Sequence, residues 1–267
     1  MKKLVLALTA IAAFTGSALA ADLPARTYSK APAYVEPAPS WTGFYIFGGG
    51  GYGVWAADTT IQNTFTGACI LCMNDRQGGA GWFGTVGAGY DWQVNQSWVV
   101  GILGDGQFGS ISGSLVDQTF GATGGVGTEK MRNAYAGGVR VGYLVAPNVL
   151  SYVNGGYSGS NWSGMTQISQ ANGTSLNSST NGFSRNGWFI GGGVENNLDI
   201  FGIHMPGLFM KTEYRGAYYG QRNISEITTS TGALSGFDIT FKPFVQTIST
   251  SLVYRFNWSG APVVSKY

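Results

Sequence analysis

Residues Met131–Tyr157, MRNAYAGGVRVGYLVAPNVLSYVNGGY, carry the pattern that decides the fold. In Met131–Val145, Tyr135, Val139, Val141, Tyr143 and Val145 recur at every second position, while Ala136, Gly138, Arg140 and Gly142 fall on the other face. A period of two belongs to a β-strand. Val149–Tyr157 is a second alternating segment, and only Ala146-Pro147-Asn148 separates the two. A broad apolar face opposite small residues and one charge predicts a transmembrane β-hairpin, which needs about 9–11 residues per crossing.

Working outward, eight strands of this kind are predicted: Thr42–Val54, Gly79–Trp92, Trp98–Ser110, Met131–Val145, Val149–Tyr157, Arg185–Asn196, Leu208–Tyr218 and Phe244–Phe256. The connections alternate long (Trp55–Gly78, Ile111–Lys130, Ser158–Ser184, Tyr219–Pro243) and short or intermediate (Gln93–Ser97, Ala146–Asn148, Asn197–Gly207). Long external loops, short periplasmic turns and an even strand count are the arrangement of an eight-stranded antiparallel transmembrane up-and-down β-barrel. Hydrocarbon offers no water to satisfy the backbone, and this also favours a closed β-structure.

Composition agrees with an all-β membrane protein. Only 10% of the 267 residues are charged, 14% are aromatic and 43 are glycine, against about 25% charge and about 7% Gly in an ordinary globular domain. Met1-Lys2-Lys3, the apolar run Leu4–Phe14 and Ala18-Leu19-Ala20 read as a signal peptide over 1–20. Removing Lys2 and Lys3 from the 15 basic residues leaves 13 against 13 acidic ones, so no basic surplus points to nucleic acid. Residues 21–40, with Pro24, Pro32, Pro37 and Pro39, read as a periplasmic lead-in. The barrel is expected over 41–258, with a tail at 259–267.

Charge falls on one strand parity. Asp91, Asp105, Arg140, Glu195, Lys211, Glu213, Arg215 and Arg255 are assigned to a lumen charge network, because charges facing lipid would cost about 2–4 kcal/mol each near the midplane. An eight-stranded interior is nearly filled by side chains, so a closed core of ion pairs is favoured over an aqueous channel. Leu252, Tyr254 and Phe256 share the apolar parity of the last strand and read as an assembly signal, with Pro262 interrupting the chain beyond it. Cys69-Ile70-Leu71-Cys72 is a single CxxC, read as a local disulfide with a free dithiol as the alternative. The one histidine, His204, lies in a periplasmic connection, where it cannot ligate an external haem. Ser and Thr are too abundant to mark a nucleophile, and the chain is read as non-enzymatic, without catalytic residue, metal site or cofactor.

The signal peptide followed by Ala21-Asp22-Leu23-Pro24, then Trp41-Thr42-Gly43-Phe44-Tyr45, Gly137–Tyr143, Tyr152-Val153-Asn154-Gly155-Gly156, Gly187–Glu195, Lys211-Thr212-Glu213-Tyr214 and Val253-Tyr254-Arg255-Phe256, resemble the small outer-membrane β-barrel proteins of alphaproteobacteria. That family holds the rhizobial and brucella immunogenic surface proteins, some described as haemin-binding or porin-like. The resemblance implies an eight-stranded barrel in the bacterial outer membrane with exposed antigenic loops, and no catalytic residue. The expected function is therefore a surface-exposed structural or interaction protein. A narrow porin-like channel for ions or small solutes and a haemin-binding surface protein are the alternatives. Location implies as partners outer-membrane lipid and lipopolysaccharide, the outer-membrane assembly machinery, and a host or environmental surface ligand.

Overall fold

The structure, a computed structural model, describes residues 40–117 and 124–256. The expected signal peptide, nearly all of the lead-in, Pro262 and the C-terminal tail lie outside the described residues. The strands are β1 Gly43–Asn63, β2 Cys69–Gln93, β3 Trp98–Asp117, β4 Gly125–Ala146, β5 Val149–Trp162, β6 Thr166–Ser169, β7 Ser175–Thr180, β8 Phe183–Asn197, β9 Leu208–Tyr219, β10 Arg222–Thr228 and β11 Leu234–Arg255.

This corrects the eight-stranded up-and-down expectation. Among the described residues the strands form one eleven-stranded antiparallel sheet in the order β1-β2-β3-β4-β5-β8-β9-β11-β10-β7-β6, with further pairings β1–β11 and β4–β6. The path is not up-and-down, because β6, β7 and β10 are inserted out of sequence order. β1 is paired along both edges, from Gly43↔Asp91 to Gln62↔Cys69 with β2 and from Tyr45↔Arg255 to Asn63↔Phe237 with β11. In a lower tier, β5, β8 and β9 stand between β4 and the second half of β11. In an upper tier, β6, β7 and β10 take their place, from Gly125↔Ser169 on β4 to Arg222↔Phe241 on β11.

The expected long loops are thus largely sheet. β1 runs on to Asn63, β4 begins at Gly125 and β11 at Leu234. The Ser-, Thr- and Gly-rich stretches hide their alternation because the upper interior accepts polar side chains such as Glu129, Gln167 and Ser178 beside Ile224, Ile239 and Phe241. Register also shifts between Met131 and Asn133. Below the shift Tyr135 faces out and Ala134 in, whereas above it Met131 and Glu129 are buried and Arg132 is exposed.

The two faces differ as alternation requires. On the outer face, Phe44, Trp92, Trp98, Tyr143, Tyr254 and Phe256 mark one level, and Tyr52, Trp82, Phe108, Tyr135, Trp188 and Tyr218 another. Rings within each level touch, as in Trp98–Tyr143 at 5.3 Å and Trp188–Tyr218 at 4.6 Å. Trp82 and Trp92 are ten residues apart on β2, roughly 26 Å at about 40° tilt. Between the levels the outer face carries Val86, Ile102, Val139, Val153, Ile190 and Ile248. The polar Thr212 and Thr250 found there bond each other at 3.2 Å.

The inner face is packed in layers. The lowest holds Trp41, Tyr45, Phe47, Val99, Leu150, Tyr152, Phe209 and Val253. The highest is centred on Trp55, Trp162, Phe183 and Phe241, whose rings meet edge-on or stacked at 5.1–6.1 Å. Glycine serves this packing directly, since a Cβ on Gly89 would meet the Tyr45 ring and the Ile102 carbonyl. Gly89→Val is expected to overpack this layer and cost about 1–3 kcal/mol, measured as a lower urea midpoint of the refolded protein, with Gly104→Ala, on an open outer position, close to wild type.

Candidate functional site: a buried charge network

Among and above the lower apolar side chains lie all eight charged residues singled out by parity, each at most 8% exposed. They come from six strands. β2 brings Asp91, β3 Asp105, β4 Arg140, β8 Glu195, β9 Lys211, Glu213 and Arg215, and β11 Arg255. Alternation on each strand points the side chain inward, and the register Glu195↔Lys211 and Asp91↔Gly101↔Arg140 brings the carriers to similar heights.

The lower four form a closed ring of alternating sign. Arg140 donates from Nε to Asp91 Oδ1 at 2.8 Å, through Nη2 to Asp91 Oδ2, and from Nη1 to Glu195 Oε2 at 3.1 Å. Arg255 donates to Glu195 Oε1 at 2.7 Å, to Asp91 Oδ2 at 2.9 Å and to the Trp41 carbonyl at 3.3 Å. The guanidiniums also lie over rings, Arg140 over Tyr45 at 4.4 Å and Arg255 over Trp41 at 4.3 Å. Trp41 closes the lower end by donating Nε1 to Pro147 O at 3.2 Å.

The upper four sit on β9 and β3. Arg215 binds both Asp105 oxygens at 2.8 and 3.0 Å and Glu213 Oε1 at 2.8 Å. Glu213 Oε2 accepts from Tyr152 at 2.9 Å and Asn154 at 3.0 Å, and lies 3.8 Å from Lys211 Nζ. Lys211 rests on the Phe47 ring at 3.3 Å and Arg215 on Phe189 at 4.5 Å. Tyr45, Tyr152 and Asn154 were not anticipated as partners. Tyr152 and Asn154 share the parity opposite Val153, the signal that marks them as inward. Tyr219 is buried and its hydroxyl bonds Ser158 at 2.9 Å.

Buried opposite charges that satisfy each other add little net stability, but removing one partner strands the rest. The chemistry here is mutual neutralisation. A cavity of about 10 Å³ beside Asp105, Arg215 and Tyr219 has room for about one water.

A second polar cluster lies in the upper tier, where sequence reasoning placed only loops. Gln167 Nε2 donates to Glu226 Oε1 at 2.6 Å and to Asp117 Oδ2 at 3.2 Å, and Ser178 donates to Glu226 Oε2 at 3.3 Å. Burial, then the neighbouring Asp117, pushes the Glu226 carboxyl up to about 9; burial raises Glu129 to about 8.

The other singled-out residues are dispersed. Cys69 and Cys72 form a disulfide at the start of β2, where Leu71↔Ile61 and Asp75↔Thr59 bracket an irregular step. Leu252, Tyr254 and Phe256 are exposed on the outer face, Phe256 packing on Phe44 at 5.5 Å. His204 lies exposed in the β8–β9 connection, 3.2 Å from Asp199. Among the described residues no group of three His, Cys, Asp or Glu is placed to hold a metal ion.

An outer face belted by two aromatic levels and an inner face of paired charges invite comparison with membrane β-proteins. The 31 kDa outer-membrane immunogenic proteins of Brucella melitensis biotype 1 and Brucella suis biovar 1 are each 28% identical to this chain over 238 residues, 86% of the chain and 92% of the relative. The likeness is to outer-membrane proteins. The crystal structure of the outer membrane protein OprG from Pseudomonas aeruginosa aligns over 80% of this chain and 97% of its own with TM-score 0.50 at 11% identity, a likeness of fold. No family model matches the sequence. Homology places this chain in the bacterial outer membrane.

Two outcomes test the clusters. Glu195→Gln, which leaves Arg140 and Arg255 short of one buried carboxylate, is expected to cost about 3–5 kcal/mol, read from urea unfolding in lipid. For Glu226, the folded pKa lies above the ordinary 4.5, so the folded state holds a proton that the unfolded state has lost between these values. Upper-tier stability should then fall as pH rises from about 5 to 9. Hydrogen exchange in β10 would show this, and Glu226→Gln should flatten the dependence.

Proposed function

We propose that the chain is a surface-exposed outer-membrane structural and interaction protein with a sealed interior. The aromatic levels on the outer face are the two membrane interfaces, and the strands between them cross the hydrocarbon. The upper tier projects from the cell and carries recognition, while Gln93–Ser97, Ala146–Asn148 and Asn197–Gly207 face the periplasm. Leu252, Tyr254 and Phe256 present an outward apolar stripe to the assembly machinery.

The observation that carries the reading is the filling of the inner face. The Trp41 cluster, two sets of ion pairs and the Trp55–Trp162–Phe241 cluster together fill the described inner face. Guanidiniums locked between carboxylates and rings are not free to line a wet channel. Lipid and lipopolysaccharide surround the belt. Beyond its upper level, Arg76, Arg132, Arg222 and Lys242 are exposed, on the side where an anionic outer leaflet would lie.

Planar bilayers containing refolded protein should stay electrically silent at physiological salt. Steady openings of constant size, unchanged when the upper-tier hairpins are shortened, would mean that the interior conducts and would sink the sealed reading.

A further inference from the structure

The exchange of strands between tiers leaves a break in the wall. β9 ends at Tyr219, and Gly220-Gln221 carry the chain across to β10. On one side, β8 pairs with β9 only up to Gly187↔Tyr219, so Phe183–Asn186 find ladder partners on β5 alone. On the other, β7 pairs with β10 only over Glu226–Thr228, leaving Arg222–Ser225 paired with β11 alone. Between them is a notch of about 230 Å³ lined by Asn181, Phe183, Arg222, Asn223, Ile224 and Leu234.

Arg222 lines this notch, and Arg185 stands beside it, bonded to the Gly220-Gln221 crossing. Arg185 is held across its lower edge, Nε donating to Gly220 O and Nη2 to Gln221 O, each at 2.9 Å. Those bonds occupy two of its five N–H groups and leave the rest available. Arg222 is exposed, with its guanidinium 6.0 Å from the Phe183 ring. The two feel each other, since Arg222 adds to burial in lowering the pKa of Arg185. Among the described residues neither forms an ion pair with a carboxylate, in a protein whose buried arginines are all so paired. Uncompensated like charges brought together leave a site short of an anion.

The height of the notch selects the anion. Arg185 lies three residues above Trp188, and Arg222 three residues past Tyr219, next to Tyr218 of the stacked Trp188–Tyr218 pair. At strand rise and tilt this is roughly 8 Å beyond the aromatic level, where the phosphates of an outer leaflet lie. Planar guanidiniums bind phosphate oxygens through paired N–H bonds. Leu234, exposed at the notch, supplies an apolar flank.

We propose that this notch is a lipid-phosphate site, in which Arg185 and Arg222 clasp a phosphate of a phosphorylated outer-leaflet glycolipid. The proposal rests on the upper tier facing outward. It does not depend on the interior being sealed.

The test uses the full mature chain refolded into phosphatidylcholine vesicles containing either diphosphorylated or dephosphorylated lipid A. Protein is then extracted in mild detergent and the retained lipid A is counted by mass spectrometry. Wild type should retain the phosphorylated form about tenfold over the other. Arg222→Ala should abolish that preference, and Arg222→Lys should keep part of it. Arg222 is exposed, so folding should persist, and the heat-dependent gel shift reports it. Equal retention of both lipids, or undiminished preference in Arg222→Ala, would overturn the site. Saturation by inorganic phosphate with complete displacement of lipid A would overturn the lipid assignment in favour of a free anion. Channel openings in bilayers with intact retention would remove only the sealed reading, whereas lost retention with silent bilayers would remove only this one.

Discussion

Arg140 and Arg255 are held between Asp91 and Glu195 in a ring whose members reach it from four strands, β2, β4, β8 and β11. Few other constraints join so many parts of the chain. A buried guanidinium without its carboxylate costs several kcal/mol, so these strands must arrive in one register or the sheet pays for the mismatch. The outer face makes the same demand in reverse. Every one of these charges must face inward, because the apolar belt has no means of satisfying it.

From that ring the rest of the interior follows in layers. Tyr45 and Trp41 lie against the guanidiniums and close the lower end, and glycines such as Gly89 give the Tyr45 ring its space. Above, Arg215 repeats the arrangement with Asp105 and Glu213, and the Trp55 layer covers it. The groups that neutralise one another also fill the inner face between the strands that carry them. The upper tier is built on the same long strands, beyond the charge ring.

The upper tier is where local sequence misleads. Serine, threonine, asparagine and glycine in Asn161–Ser184 and Ser225–Gly236 suggest hydrated loops, yet β6 pairs there with β4, β10 with β11, and β7 with β6 and β10. Their inward side chains include Gln167, Ser178 and Glu226, which a periodicity test scores as solvent-facing. A register shift at Met131–Asn133 also reverses parity partway up β4, so no single alternation describes that strand. The count of eight strands failed for these reasons, and the simple up-and-down path failed with it.

The alternation of Met131–Tyr157, and of its counterparts on the other long strands, by itself determined which side chains face in and which face out. A period of two leaves no choice once one face is apolar, and the eight inward charges were legible for that reason. Only the tertiary structure decided who pairs with whom. Asp91 meets Arg140 and Arg255 from positions 49 and 164 residues away, and such partnerships depend on strand order and stagger, which alternation does not encode. The same holds for the notch beside Arg185 and Arg222, which exists because β9 stops where β10 begins.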